Sequence, residues 1–311
     1  MITEVKRIGT RDQLERALDA IVTQATGGIA LAAMNLTTGE TVSHNGDRPM
    51  PTASVFKLPL LVEVFRQAEC GLLNLDERVE VKADDLLAGS GILRDLGPGL
   101  KPTLRDLATL MIVVSDNSAS NLLLDRAGGP ERVNATMRDL GLASIMIHRR
   151  IAFGTALARG SVAEAAPNDL MHLAGMLARD ELVSPAACRA MKAILARQRH
   201  LDQASRFIAY QPHASDPARR ERIRVFNKTG MSQGLRADTG IIELQGDVVI
   251  SYSVVNNAGA DDSYRNEHPG DITNALVGRI LVEYWWPGAW VAERAVWPSP
   301  YVDDFFAAAG L

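Results

Sequence analysis

Residues 51–61 read PTASVFKLPLL, and the four at the centre, Ser54-Val55-Phe56-Lys57, open an apolar helical run that continues through Leu58–Phe65. Positions i and i+3 of a helix share a face, so the Lys57 amine comes within reach of the Ser54 hydroxyl. A serine hydroxyl is a weak nucleophile at neutral pH and needs an adjacent base. A lysine that is desolvated, or placed beside other cations, loses its proton and serves as one. The start of the helix adds free N–H groups and partial positive charge, which favour a developing oxyanion. Taken alone, Ser-x-x-Lys is also the pattern of a capped surface helix with a solvated lysine.

Two further motifs stand downstream. Ser115-Asp116-Asn117 follows the apolar run Leu107–Val114 and precedes the helical Ser118–Leu124, and Lys228-Thr229-Gly230 ends a predicted strand, Ile223–Asn227, just before Met231. Polar caps on buried helices are ordinary by themselves, and so is a lysine at a strand end. Together, a lysine, a hydroxyl and a glycine on a strand edge let backbone approach an acyl substrate closely while the cation holds an anionic group. The three motifs in this order resemble the Ser-x-x-Lys, Ser-Asp-Asn and Lys-Thr-Gly set of class A β-lactamases and penicillin-binding proteins. Their neighbours, GSGILRDL at 89–96, LRDLATLMIVVSDNSASNLLLD at 104–125 and DTGII at 238–242, look like that family as well, so the resemblance runs over roughly residues 10 to 284.

The resemblance implies an α+β, β-lactamase/transpeptidase-like fold, an antiparallel sheet flanked by helices with an inserted all-helical domain. It implies Ser54 as nucleophile and Lys57 as its proton acceptor. Ser115 would relay a proton to the leaving nitrogen, and Lys228 would support Ser115 and a substrate carboxylate. Asn117 and Thr229 would bind the substrate's amide side chain and carboxylate, Gly230 would give clearance, and the N–H groups of Ser54 and Met231 would form the oxyanion hole. Three activities fit: slow β-lactam hydrolysis through an acyl-serine, an esterase or D-amino acyl peptidase, and a protein that is acylated and stays so. The implied partner is a small β-lactam, ester or D-amino acyl substrate, with no cofactor and no metal.

One stretch departs from the family. The family's Ω-loop carries an arginine followed two positions later by a glutamate that activates water for deacylation; here the aligned arginine is Arg149 and the second residue on is Ile151, which cannot take a proton. Glu164 is the only acid between Arg149 and Pro167. Either it pairs with Arg149 or Arg150 and pins the neck of the loop, or the loop folds differently and brings it to the acyl ester. Arg236 is equally open, a partner for a substrate carboxylate or a solvent-facing cation.

Working outward, Thr10 or Asp12 can cap a helix ending near residue 26, and Ile29–Leu36 with Thr41–His44 reads as a hairpin. A helical block follows to about residue 197, then strands Ile223–Asn227, Thr239–Leu244 and Val248–Val254 and a helix over Asp271–Tyr284. A lone hairpin is marginal in water, so the strands at the two ends must meet. The expected division is an α/β domain from 1–45 and 198–311, whose extension runs over 285–311, and a helical domain from 46–197.

Composition narrows the classes. The 311 residues carry 33 Lys and Arg against 37 Asp and Glu, a net charge of −4, which argues against a nucleic-acid binder that must displace counterions from phosphate. With 47% hydrophobic and 23% charged residues, disorder, collagen and a disulfide scaffold are excluded. The longest uncharged apolar runs fall far short of the ~18 residues of a membrane span. MITEVKRIGTRDQLERALD lacks the pattern of a secretory signal, so a cytoplasmic location is expected, or a periplasmic or secreted one if a leader has been removed. Cys70 and Cys188 read as core thiols rather than a redox pair, and the six histidines show no metal spacing. His148 reads as a hydrogen-bonded loop residue. Trp285, Trp286, Trp290 and Trp297 cluster after the last predicted helix. This tail either packs back on its own chain or forms a lid or a homodimer contact.

Overall fold

The structure, a computed structural model, describes residues 8–153, 160–257, 259–286 and 300–311. Thr10 caps α1 (Arg11–Gln24): its side chain accepts from the Gln13 amide while the Gln13 side chain accepts from the Thr10 amide. β1 (Gly28–Asn35) and β2 (Thr41–His44) form the predicted hairpin. Next come β3 (Met50–Pro51), a 3-10 turn over Ala53–Phe56, and α2 (Lys57–Glu69). The helical stretch continues with α3 (Leu93–Leu96), α4 (Leu104–Val113), α5 (Asn117–Arg126) and α6 (Gly129–Asp139). β4 (Met146–Ile147), β5 (Ala163–Ala165), α7 (Pro167–Ala178) and α8 (Pro185–Leu195) follow. The chain returns through α9 (Pro217–Arg222) to β6 (Ile223–Ser232), β7 (Leu235–Leu244) and β8 (Val248–Asn257), then α10 (Pro269–Trp285) and α11 (Pro300–Ala308).

Strands from the two ends of the chain meet in one antiparallel sheet of order β2-β1-β8-β7-β6. Each face of the sheet is covered, and side chains alternate between the two cores with period two. Leu31 and Ala33 on β1, Tyr252 and Val254 on β8, and Ile242 on β7 join α1, α10 and α11 in one core. Ala30, Val255, Ile241 and Phe226 face the helical stretch in the other. This double burial explains why the central strands read as almost unbroken apolar runs. By the same parity, Lys228 and Gly230 lie on the Phe226 face of β6, toward the turn that carries Ser54.

β7 begins at Leu235 rather than Thr239 and β8 runs on to Asn257, and three further details differ from the sequence reading. β6 does not stop at Asn227 but runs to Ser232, because β7 pairs with it through Lys228↔Thr239 and Gly230↔Ala237. The stretch read as all-helical also holds a small sheet, β3-β5-β4, whose strands of two or three residues are too short to show a period. Ser54 lies in the 3-10 turn, one turn before the α-helix begins at Lys57, a common tightening of helix starts.

In the tail, Val302, Phe305, Phe306 and Leu311 are buried in the second core, and the Tyr301 ring lies 6.3 Å from Phe207. Residues 300–311 therefore pack back on their own chain. Trp285 donates through Nε1 to Glu40, whereas Trp290 and Trp297 lie outside the described residues. Both cysteines are free thiols, but only Cys188 is the expected core residue; Cys70, at the end of α2, is exposed. Among the described residues no helix is long and apolar enough to cross a membrane.

Candidate active site

Ser54 is half-buried in its turn, which is locked from two sides. Ala53 before it has φ +43°, a left-handed conformation that costs energy for a side chain with a Cβ and that the surroundings must hold in place. The Val55 amide donates to the Thr52 carbonyl (3.0 Å), and the Lys57 amide donates to the Ser54 carbonyl. From above, β6 lies directly on the turn. A side-chain carbon at Gly230 would stand 2.5 Å from the Thr52 carbonyl oxygen and 3.1 Å from the Ser54 nitrogen, so only glycine permits the approach. β6 is the edge strand, so one row of its backbone groups points away from the sheet. Met231, half-buried, follows Gly230 on that strand.

The turn also delivers Lys57 to a buried position between the motifs. Its Nζ lies within hydrogen-bond distance of the Ser115 carbonyl (2.7 Å), Ser115 Oγ (3.0 Å) and Asn117 Oδ1 (3.0 Å). Burial, and then the charge of Lys228, hold its amine well below the ordinary lysine range. Ser115 sits between α4 and α5 with φ +55°. Asp116 caps α5 through the Ala119 amide (2.9 Å), and its other oxygen accepts from the Ile92 and Leu93 amides (2.7 and 2.9 Å). This fixes the loop before α3 to the same corner.

Lys228 is fully buried, and burial lowers its amine to about 7, against the opposing pull of Asp238 and Asp202. Its Nζ donates to the Thr229 carbonyl (2.6 Å). Thr229 pairs across the sheet with Asp238, whose carboxylate accepts from Asn227 Nδ2 (2.9 Å) and the Ala204 amide (3.1 Å). Burial pushes Asp238 up to about 7. His200, half-buried, hydrogen-bonds the Val114 backbone just ahead of Ser115; burial and Lys228 lower its pKa. The structure thus gathers the turn of Ser54 with Lys57, Ser115, Asn117 and the Lys228–Met231 segment.

Glu164 belongs to a different edge. It sits on β5 opposite Met146, one diagonal step from His148, whose Nε2 is 3.8 Å from its carboxylate. The expected arginine pairing does not form, because Arg149 and Arg150 lie beyond the end of that ladder. Arg150 pairs with Asp125 (3.0 Å), and Arg149 donates to the carbonyls of Arg150 and Gly160 (3.1 and 2.7 Å). Arg236 takes neither role foreseen for it. It is buried and bound to Asp271 (3.0 Å) and to the Ser232, Leu235 and Ser263 carbonyls.

Sequence reasoning missed Asn121. From one turn further along α5, its Nδ2 donates to the Ile151 carbonyl (2.9 Å) and its Oδ1 accepts from the Ile151 amide (3.0 Å). This two-point clamp holds the backbone of Ile151 beside the motif helix, with the Ile151 side chain buried in the core. The signal was present in the i, i+4 spacing of Asn117 and Asn121. Among the described residues no group of three His, Cys, Asp or Glu is placed to hold a metal ion.

The sheet, its two flanking layers and the motif corner define the β-lactamase/transpeptidase-like fold. The chain belongs to the Beta-lactamase enzyme family, whose sequence model matches residues 13–285. A beta-lactamase from Sphaerobacter thermophilus DSM 20745 has the same fold at a TM-score of 0.77 and 30% identity, over 86% of this chain and 96% of that one. PBP-A, solved as a point mutant in an acyl-enzyme complex with penicillin G, shares the fold at a TM-score of 0.74 and 22% identity, over 87% and 94%. Beta-lactamase L2 of Stenotrophomonas maltophilia is 35% identical over 133 residues, which are 40% of this chain and 44% of that relative, so the matched part spans less than half its length.

Proposed function

We propose that the protein opens the amide of β-lactams through an acyl-enzyme on Ser54 and hydrolyses the resulting ester slowly. The observation that carries the first half is the buried Lys57 amine, depressed in pKa and in contact with Ser115 and Asn117. Neutral Lys57 takes the Ser54 proton as Oγ attacks the lactam carbonyl, and the oxyanion rests on the N–H groups of Ser54 and Met231. The lactam C–N bond then breaks, and Ser115 passes a proton to the leaving nitrogen while Lys228 supports it. Asn117 holds the acyl amide, Thr229 the substrate carboxylate, and Gly230 keeps the strand close to the turn. The cleft lies between an α/β part, 1–45 with 198–311, and a helical part, 46–197.

The second half rests on Ile151. Clamped by Asn121 where the family resemblance puts the glutamate that activates water, it offers no base, and Glu164 serves its own small sheet. The same observation favours, as a second reading, a protein that stays acylated. An intact-mass measurement after mixing with benzylpenicillin tests both. The expected result is a persistent adduct in the native protein and none in Ser54→Ala, while turnover at hundreds per second with no adduct refutes slow deacylation. Ile151→Glu is expected to shorten the life of the adduct at least tenfold, in the range of a general base.

A further inference from the structure

Two residues past Ile151, Phe153 is 52% exposed. The Asn121 clamp sets the course of this segment along α5. Facing it is the loop over residues 86–92, tied to the start of α5 through Leu87 N to Ser118 Oγ (2.7 Å), Asn117 N to the Ser90 carbonyl (3.0 Å) and Asn117 Nδ2 to the Ala88 carbonyl (3.0 Å). At the middle of the loop Gly89, φ +86°, presents bare backbone. A side-chain carbon there would lie 2.8 Å from Asn117 Nδ2 and 3.3 Å from Phe153 Cζ. The ring edge and the Asn117 amide therefore flank one and the same point.

Asn117 has engaged Oδ1 with Lys57 and one Nδ2 hydrogen with Ala88. An amide carries two such hydrogens, and the second is not used by either bond. A ligand carbonyl that takes it brings the group attached to that carbonyl alongside the ring.

We infer that Phe153 is a specificity-determining residue, whose exposed ring packs on the acyl side chain of a substrate held at Asn117, so that the preferred substrates carry an aromatic or bulky apolar acyl group. This inference rests on the acyl-serine reading above. Gly89 is part of the arrangement, since a side-chain carbon at that position would crowd both the Asn117 amide and the ring. The energy comes from ring contact and from apolar surface removed from water.

The test uses two penicillins that differ only in their acyl group, phenylacetyl and acetyl, and follows formation of the Ser54 adduct by timed quench and intact mass. The native protein is expected to favour the phenylacetyl compound about tenfold in second-order acylation rate, as one good aromatic contact with its buried area allows. In Phe153→Ala the ratio is expected to collapse toward one, and in Phe153→Trp to persist. An unchanged ratio in Phe153→Ala, or an equal slowing with both compounds, overturns the inference. Absence of both adduct and β-lactam turnover in the native protein refutes the acyl-serine reading itself, whereas adducts formed without acyl preference refute only the role of Phe153.

Discussion

Lys57 and Lys228 share one buried corner, and the charge of the second makes it harder for the first to keep its proton. The sign of the resulting pH dependence follows. In the proposed mechanism Lys57 works as a base only when neutral, so acylation is expected to rise as pH climbs through its depressed pKa. Without Lys228, burial alone depresses Lys57, its pKa moves up, and a higher pH is needed to free the amine. In Lys228→Ala the rising limb of acylation rate against pH is therefore expected at higher pH than in the native protein, read from the midpoint of the limb rather than its plateau. A limb that stays in place would remove Lys57 from the role of base. At the same scale, the two asparagines of α5 divide the labour: Asn117 orients Lys57, and Asn121 fixes Ile151.

At the scale of elements, the closest fit is β6 against the turn of Ser54. Gly230→Ala places a carbon within 2.5 Å of a backbone oxygen that cannot swing aside. The strand must lift or the turn must deform, at a cost of about 1–3 kcal/mol. Urea unfolding reads the loss, and Ser54 acylation is expected to slow in the same variant. The elements legible in the sequence were those with a full period or a cap. α1 announced itself by a cap at Thr10 or Asp12, and the first hairpin by an apolar run before Thr37-Thr38-Gly39-Glu40. The end of β6 was misread because a lysine and a glycine look like a strand end, and only the partner strand β7 extends the ladder past them. In the candidate site, the grouping of Ser54, Lys57, Ser115, Asn117 and Lys228 was legible because each belongs to a motif written within three or four positions. The Asn121 clamp, the burial of Asp238 beside Lys228 and the meeting of Phe153 with Gly89 were not, since each is made by packing between distant segments.

For the whole molecule, the second core is completed by the last residues of the chain. Phe305 and Phe306 stack edge to face at 5.4 Å beneath the sheet, both buried. Phe305→Ala is expected to cost about 3–5 kcal/mol, measured by urea unfolding, because a buried phenylalanine leaves a cavity that neighbours fill only in part. A loss near zero would mean that α11 can detach without consequence.

The way β1 is shared between β2 and β8 sets a timetable for biosynthesis. Ser54 leaves the ribosome early, yet the strand that lies over its turn and the strand that completes the sheet around β1 belong to residues 223–257. Until they emerge, β1 and β2 are a lone hairpin, marginal in water. At about 5–20 residues per second, the turn of Ser54 waits unassembled for some 10–40 s. A nascent chain arrested before residue 257 is thus expected to ignore β-lactams, with reactivity arriving late and all at once.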